Sequence, residues 1–298
     1  MKRKQISKRG VTGFKKISFY YRNSNQKAPF WEKRIKSWIK KRYPETIFLE
    51  TGIFPKQKKD APNLLIVLGG DGTILEASQK YQKWNSLIFG LNLGHVGFLA
   101  SVREPKNFLS GISKIFKKKY RALPRMLIKA VIYRKNKKIF SAYALNDVAV
   151  QNLLGMVDIE VFVDNHPVQY IHGTGVLIAT ATGTTAYNLS AHGPIVMPDI
   201  KCLIITELLD HNIPTPSLII KRNRNIILKI KDFRKQNRFI IKKTGETADV
   251  VLTTDTENII SLQKGDKIII RRSERLVRFA ELEKNYFFKS LQEKFAFR

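Results

Sequence analysis

The stretch VLGGDGTIL, residues 67–75, sets one carboxylate, Asp71, among Gly69, Gly70 and Gly72 where an apolar run ends. Leu64 to Leu68 has the composition of a buried strand, and Thr73 with Glu76 fits the capping-box pattern of a helix start. The loop is therefore expected to join the carboxyl end of a strand to the amino end of a helix. In an open α/β sheet that is where ligands bind, with unpaired backbone N–H groups facing the crevice. The three glycines are expected to supply backbone conformations closed to other residues. Such turns take phosphate, and a bare carboxylate opposes that. Two unit charges about 4 Å apart interact by roughly 4 kcal/mol at an effective dielectric near 20. Either a Mg²⁺ ion bridges the two anions, or the carboxylate accepts a hydrogen bond from a hydroxyl about to attack the phosphate. Both are roles in phosphoryl transfer. The plainer alternative is an aspartate that caps its own turn.

Other chemistries find less support. The glycine spacing is neither G-x-x-x-x-G-K-[ST] nor G-x-G-x-x-G, and no acid lies between Glu76 and Glu104 to take a ribose hydroxyl in the ordinary dinucleotide manner. Hydride transfer is disfavoured. His95, His166, His172, His192 and His211 are spread along the chain without an H-E-x-x-H pair, so no protein-ligated metal is expected. Ser190 lies in NLSAH rather than G-x-S-x-G, against a hydrolase elbow. Glu207 and Asp210 form an acid cluster without a recognisable partner.

The elements that must position these residues fall into two textures. Residues 14 to 124 alternate strand-like and helix-like pieces. KKISFYY, NLLIVLGG and SLIFGLNLG read as strands, and Trp31, Ile35, Trp38 and Ile39 fall at helical spacing, as do Ile74, Ala77, Tyr81 and Trp84. That is the rhythm of an open, Rossmann-like parallel α/β sheet. From residue 125 the pattern turns to β-hairpins, one about a lysine–asparagine turn and one about DNHP, followed by further strand-like runs. The tail ELEKNYFFKSLQEKFAFR regains helical character. The expected organisation is an α/β domain over 1–124 completed by the tail 269–298, and a mainly-β domain over 125–268.

The 298 residues, 43% of them apolar, are enough for a real core. The single cysteine, Cys202, excludes an internal disulfide framework and points to a reducing, cytoplasmic setting. The basic N-terminus has no apolar segment behind it, and no stretch reaches the roughly 18 apolar residues of a membrane span, so no membrane association is expected. The formal charge of +30 is scattered through turns and polar faces, as in KKKYR and YRKNKK, without interleaved aromatics. A solvated surface is favoured over a nucleic-acid partner, though a field of that sign attracts ATP, pyrophosphates or polyphosphate.

GGDGT is the signature shared by NAD kinases, diacylglycerol and sphingosine kinases and phosphofructokinases. GLNLGHVGFLAS (90–101), ALNDVAVQ (144–151) and ATGTTAYNLSAHGPIVMP (181–198) narrow it. With these the chain resembles the NAD kinases from about residue 62 onward, and its tail is similar to that of their Gram-positive bacterial branch. The resemblance implies that ATP, with Mg²⁺ or another divalent metal, phosphorylates the adenosine ribose 2′-hydroxyl of NAD to make NADP. It implies that Asp71 orients or deprotonates that hydroxyl while Gly70, Gly72 and Thr73 line the phosphate path. Phe98 would pack beside the adenine, Asn146 would bond its amino group, and Asp147, where the family usually has Glu, would hold hydroxyls of the other ribose. Thr185, Ala186, Tyr187 and Ser190 would complete the pocket. A homotetramer or homodimer is implied, and the phosphoryl donor stays open between ATP, another nucleotide and polyphosphate. Three departures stand out: Thr174 at a usual acid, which bears on the choice between NAD and NADH, Ala181 at a usual proline, and His192 at a usual glycine. The rival readings are a lipid kinase of the same superfamily and a catalytically silent NADP- or polyanion-binding protein.

Overall fold

The computed structural model describes residues 14–295 apart from 96, 212–214, 237–238, 243 and 256–257; the basic N-terminal residues read above lie mostly outside that range. In chain order the elements begin β1 (Lys16–Tyr20), α1 (Ala28–Arg42), β2 (Ile47–Phe48), β3 (Leu64–Leu68), α2 (Asp71–Tyr81), β4 (Leu87–Leu91) and α3 (Phe108–Phe116). There follow β5 (Arg121–Arg134), β6 (Lys137–Ala144), β7 (Asp147–Asn152), β8 (Val157–Val163), β9 (His166–Thr180), the single helical turn α4 (Tyr187–Ser190), β10 (Cys202–Asp210) and β11 (Leu218–Lys221). The remainder is β12 (Ile226–Phe233), β13 (Phe239–Ile240), β14 (Thr247–Ala248), β15 (Val250–Thr254), β16 (Asn258–Ser261), β17 (Lys267–Glu281) and α5 (Tyr286–Phe295).

The chain divides into two compact units, one reaching Leu123 and resuming at Arg278, the other Pro124–Val277. In the first unit β4, β3, β1 and β2 lie side by side and parallel, and the end of β17 adds to β4 through Arg278↔Leu87 and Phe279↔Ile88. Every residue of β3 and β4 is buried, which is why both read as unbroken apolar runs rather than alternations. Helix α1 buries Ile35 and Ile39 at helical spacing, with Trp31 and Trp38 half-buried beside them. Helix α2 buries Ile74, Ala77 and Tyr81; Trp84 falls beyond its end. Burying one apolar side chain of this size is worth about 1.5–3 kcal/mol, so these stripes, rather than helix propensity, hold the helices in place.

In the second unit nearly all pairing is antiparallel. Strands β5 and β6 form the hairpin expected about Lys135 and Asn136, both at positive φ, the two-residue turn whose twist matches that of its strands. The next hairpin, β8–β9, turns at Asp164 and Asn165, so the His166–Pro167 pair read as turn lies in the strand. Strand β9 pairs with β8 from His166 to Gly173, then with β7 from Gly175 to Ala179, while β10 accompanies Gly173–Thr180. The change of neighbours needs both glycines. A Cβ on Gly173 would stand 2.4 Å from the Leu209 carbonyl, and one on Gly175 (φ 153°) 2.0 Å from that of Val150. The core between these strands is aliphatic, with Ile128, Val148, Ile159, Ile178, Leu203 and Leu252 among its buried members.

Candidate active site

Asp71 is the first residue of α2, separated from the carboxyl end of β3 by Gly69 and Gly70. Its carboxylate reaches across to the loop that follows β4. Oδ2 accepts the Phe98 N–H at 2.6 Å and Oδ1 the Leu99 N–H at 3.1 Å. Gly97 makes this reach geometrically feasible, since a Cβ there would lie 2.2 Å from the Asp71 carboxyl carbon. The loop is pinned at its start by Asn92, whose Oδ1 accepts the Gly94 N–H at 3.0 Å and whose Nδ2 donates to the Gly94 carbonyl at 3.1 Å. Burial pushes the Asp71 carboxyl above the usual carboxylate range; the Phe98 and Leu99 donors and the Lys294 charge only partly offset it.

Two expectations for this loop fail. The helix starts on Gly70 with no side-chain cap, so Thr73 and Glu76 form no capping box. Glu76 instead bonds Tyr20, Arg22 (2.8 Å) and Lys80 (2.7 Å), and against its own burial these donors, Lys80 foremost, bring its carboxyl down to about 2. Nor do the glycines need special backbone angles, for none of the three has a positive φ. Gly69 is required sterically, because a Cβ would meet Thr73 Oγ1 at 2.6 Å. Thr73 is accordingly buried against the turn rather than displayed. Gly70 faces open space, and a Cβ at Gly72 would touch only Arg22, at 3.7 Å, so backbone N–H groups at the helix start can be approached closely. Phe98 is 7% exposed, its ring facing Phe287 at 5.9 Å and the Lys294 ammonium at 5.2 Å.

The second unit gathers another group. Asn146 ends the β6–β7 turn and Asp147 opens β7, opposite Ala179 at the end of β9. The Thr180 N–H donates to the Asn146 carbonyl at 2.8 Å, and Gly183 lies so close that a Cβ would be 2.2 Å from the same oxygen. The turn 180–187 is knitted by hydroxyls. Thr180 donates to the Leu145 carbonyl (2.6 Å) and accepts the N–H of Thr182 (3.1 Å), while Thr184 donates to the Ala181 carbonyl (2.8 Å). Thr185 donates weakly to Thr182 at 3.5 Å. Ala186 caps this turn, and Tyr187, 39% exposed, donates to Gln151 at 2.9 Å. Burial, then the Asp147 charge, raises the Tyr187 phenol. Ser190 is exposed at the last position of α4. His192 adopts φ 59°, the left-handed region where glycine is easiest.

Sequence reasoning missed Asp255. It accepts the N–H groups of Leu145 (2.6 Å), Asn146 (2.8 Å) and Asp147 (3.1 Å), fixing the backbone that presents Asn146 and Asp147. The available signal was an aspartate closing the strand-like run ADVVLTTD; its φ of 45° is a conformation aspartate tolerates. Burial and the neighbouring Asp255 charge push the Asp147 carboxyl up to about 8. The structure thus brings Asp71 and Phe98 together in one unit, and Asn146, Asp147, Thr185, Ala186 and Tyr187 in the other. Thr174 is half-buried between the two glycines that β9 requires. Among the described residues no three His, Cys, Asp or Glu side chains gather as a metal-holding group, and no helix is long and apolar enough to cross a membrane.

Family models for the ATP-NAD kinase N-terminal domain and the ATP-NAD kinase C-terminal domain match residues 13–120 and 145–282. The chain is 31% identical over 293 residues to an NAD kinase of Syntrophotalea carbinolica, covering 94% of this chain and 98% of that protein. To an NAD kinase of Lachnoclostridium phytofermentans it is 34% identical over 234 residues, covering 77% and 79%. In fold it matches yeast NADH kinase complexed with NADH at a TM-score of 0.82 and 20% identity, over 96% of this chain and 88% of that one. It also matches an NAD kinase from Archaeoglobus fulgidus in complex with ATP at 0.70 and 23%, over 93% and 98%. The glycine loop with its tethered aspartate, the Asn146–Asp147 turn and these matches along nearly the whole chain lead to one assignment: this chain belongs to the NAD kinase family.

Proposed function

We propose that this NAD kinase uses Asp71 to ready the adenosine 2′-hydroxyl of NAD for attack on the terminal phosphate of ATP. The observation that carries this reading is the tethering of the Asp71 carboxylate. Two backbone N–H groups hold it at the open start of α2. A carboxylate has about four lone-pair sites, and the two donors occupy two of them. The others remain to accept the proton of a hydroxyl. Raised proton affinity suits that task, because a base is most effective when its pKa approaches the working pH.

As the ribose oxygen forms its bond to the γ-phosphorus, its proton passes to Asp71. The bond from that phosphorus to the β-bridging oxygen breaks, and ADP leaves with the electron pair. The peptide N–H groups at Gly70 and Gly72 line the phosphate path; the space beside Gly70 is open, and Arg22 is the side chain near Gly72. Thr73 supports that path from beneath by packing on Gly69. A lone, half-engaged carboxylate does not fit a protein-held divalent ion, so Mg²⁺ or another divalent metal is taken as part of the MgATP substrate.

Asn146 suits an adenine edge, with one donor and one acceptor on a single amide. Asp147, neutral near pH 7, both donates to and accepts from the vicinal hydroxyls of the other ribose. Tyr187 supplies an apolar face, and Thr185, Ala186 and Ser190 complete the wall. Phe98 borders the acceptor side, and its adenine contact requires the ring to be uncovered from Phe287. Thr174, a hydroxyl where the family usually has an acid, bears on the choice between NAD and NADH. The protein is taken as a cytoplasmic homo-oligomer; the exposed Leu209, Ile219 and Tyr170 of the second unit offer apolar area for self-association, which light scattering after gel filtration tests.

The test of the activity is incubation with MgATP and either NAD⁺ or NADH, with NADP(H) read by an NADP-specific coupled dehydrogenase. Formation of NADP(H) by the parent and its loss in Asp71→Asn is the expected result. A fully active Asp71→Asn enzyme would remove the proposed role, and nucleotide binding with no product would favour the silent binding protein.

A further inference from the structure

Several side chains of helix α5 converge on the loop that runs from β4 to α3. Of its residues only Ser290 is buried. The Arg103 guanidinium secures it by donating to the Tyr286 carbonyl at 3.0 Å and to Ser290 Oγ at 2.8 Å, and by pairing with Glu293. The same guanidinium lies 4.5 Å from the Tyr286 ring centroid. From this anchored helix, the Tyr286 hydroxyl donates to the Gly97 carbonyl at 3.5 Å, Phe287 meets the Phe98 ring, and the Lys294 ammonium stands 5.2 Å over that ring's centroid. Gly97 and Phe98 are the residues that make room for Asp71 and donate to it. An exposed lysine on a weakly buried helix therefore bears on the peptide that orients the carboxylate.

We propose that Lys294, presented by α5, is a positioning residue for the phosphoryl-transfer step: seated on the Phe98 ring, it holds the Phe98 peptide against Asp71 and sets a cation beside that carboxylate. This rests on the reading of Asp71 as the group that receives the acceptor's proton. A cation over an aromatic face is attracted by the ring quadrupole, so the lysine restrains the ring and the backbone that carries it. Its charge also lowers the proton affinity that burial raises in Asp71. The other groups around the carboxylate are the Tyr286 phenol, itself raised by burial, with Arg103 behind it, and Arg22 and Glu76 beyond Gly72. Arg22 is paired to Glu76; among the described residues Lys294 is the cation of the tail whose charge acts on Asp71.

The experiment uses the full chain with Lys294→Met, Lys294→Arg and Asp71→Asn. For each, kcat and the KM for NAD are measured with saturating MgATP from about pH 5.5 to about pH 9. Lys294→Met is expected to lower kcat about two- to fivefold with KM nearly unchanged, and to move the acidic limb of the kcat profile to higher pH, because Asp71 then binds its proton more tightly. Lys294→Arg should restore both. Parent-like kcat and limb in Lys294→Met, beside an inactive Asp71→Asn, would overturn the proposal while leaving the role of Asp71 intact. A loss of kcat with no limb shift, or one that arginine does not restore, would mark a docking defect of α5 and overturn it too. An active Asp71→Asn would instead remove the reading on which the proposal rests.

Discussion

Asp71 in the first unit and Asp147 in the second are both pushed toward their protonated forms by burial, yet their surroundings differ in kind. Asp71 receives two peptide N–H bonds and feels the Lys294 charge, so its orientation is fixed and the rise that burial causes in its proton affinity is opposed by three partners. Asp147 stands beside a second acid, Asp255, and among the described residues no N–H is aimed at its carboxyl. The N–H groups of Leu145, Asn146 and Asp147 go to the Asp255 carboxylate instead. One unit aims its backbone donors at Asp71 itself; the other uses them on Asp255 to shape the turn on which Asp147 sits. In the proposed reading, Asp71 needs an aimed lone pair to act on a proton, whereas Asp147, holding hydroxyls, receives its missing bonds from the ligand.

The sharpest attempt to break this contrast is Asp71→Asn. Folding should be retained, with turnover down about 10²- to 10⁴-fold, the usual contribution of a positioned general base. Near-parent turnover in the coupled assay would make the two acids equivalent. Next comes Gly97→Ala, whose methyl would occupy the place of the Asp71 carboxylate. It should lower kcat at least tenfold and cost about 1–3 kcal/mol of stability as the loop is forced away. Denaturant titration beside the kinetics separates the two effects; Gly70→Ala, with open space around it, should cost far less stability.

Asp147→Asn tests the other side. Because the folded carboxyl titrates at about 8 rather than at the ordinary 3.8, the folded chain keeps a proton between those values that the unfolded chain has lost. Stability from this group is therefore complete below the lower value, falls as pH rises through the window, and is lost above the upper one. The amide should raise Tm by a few degrees at alkaline pH and by little in acid, while weakening NAD binding. A Tm gain independent of pH would mean that Asp147 is not held protonated. The smallest effect is expected from His192→Gly, which relieves a left-handed residue and should add about 0.5–1 kcal/mol without touching kcat. Loss of stability there would show that the imidazole contributes more than its backbone costs.

The buried runs that became β3 and β4, the apolar stripes of α1 and α2 and the lysine–asparagine hairpin were all legible, because each is a local pattern in which burial or turn chemistry repeats at a known period. The capping box at Thr73 and Glu76 was misread. The pattern is short, and Tyr20, Arg22 and Lys80 compete successfully for the same carboxylate. The glycines of the turn were singled out for backbone angles that none of them adopts. Gly69 yields to Thr73 and Gly70 leaves open space, neither of which can be read without the neighbouring atoms.

By itself the sequence narrowed what one acid in a glycine turn between a strand and a helix could do, and its ordered motifs determined the family. Only the tertiary structure decided what each acid experiences. The donors to Asp71 come from residues 27 and 28 positions away, and the acid that shapes the Asn146 turn lies more than a hundred positions further on. Proton affinity depends on burial and on the nearest charges, and these are set by chain segments that meet only when the protein is folded.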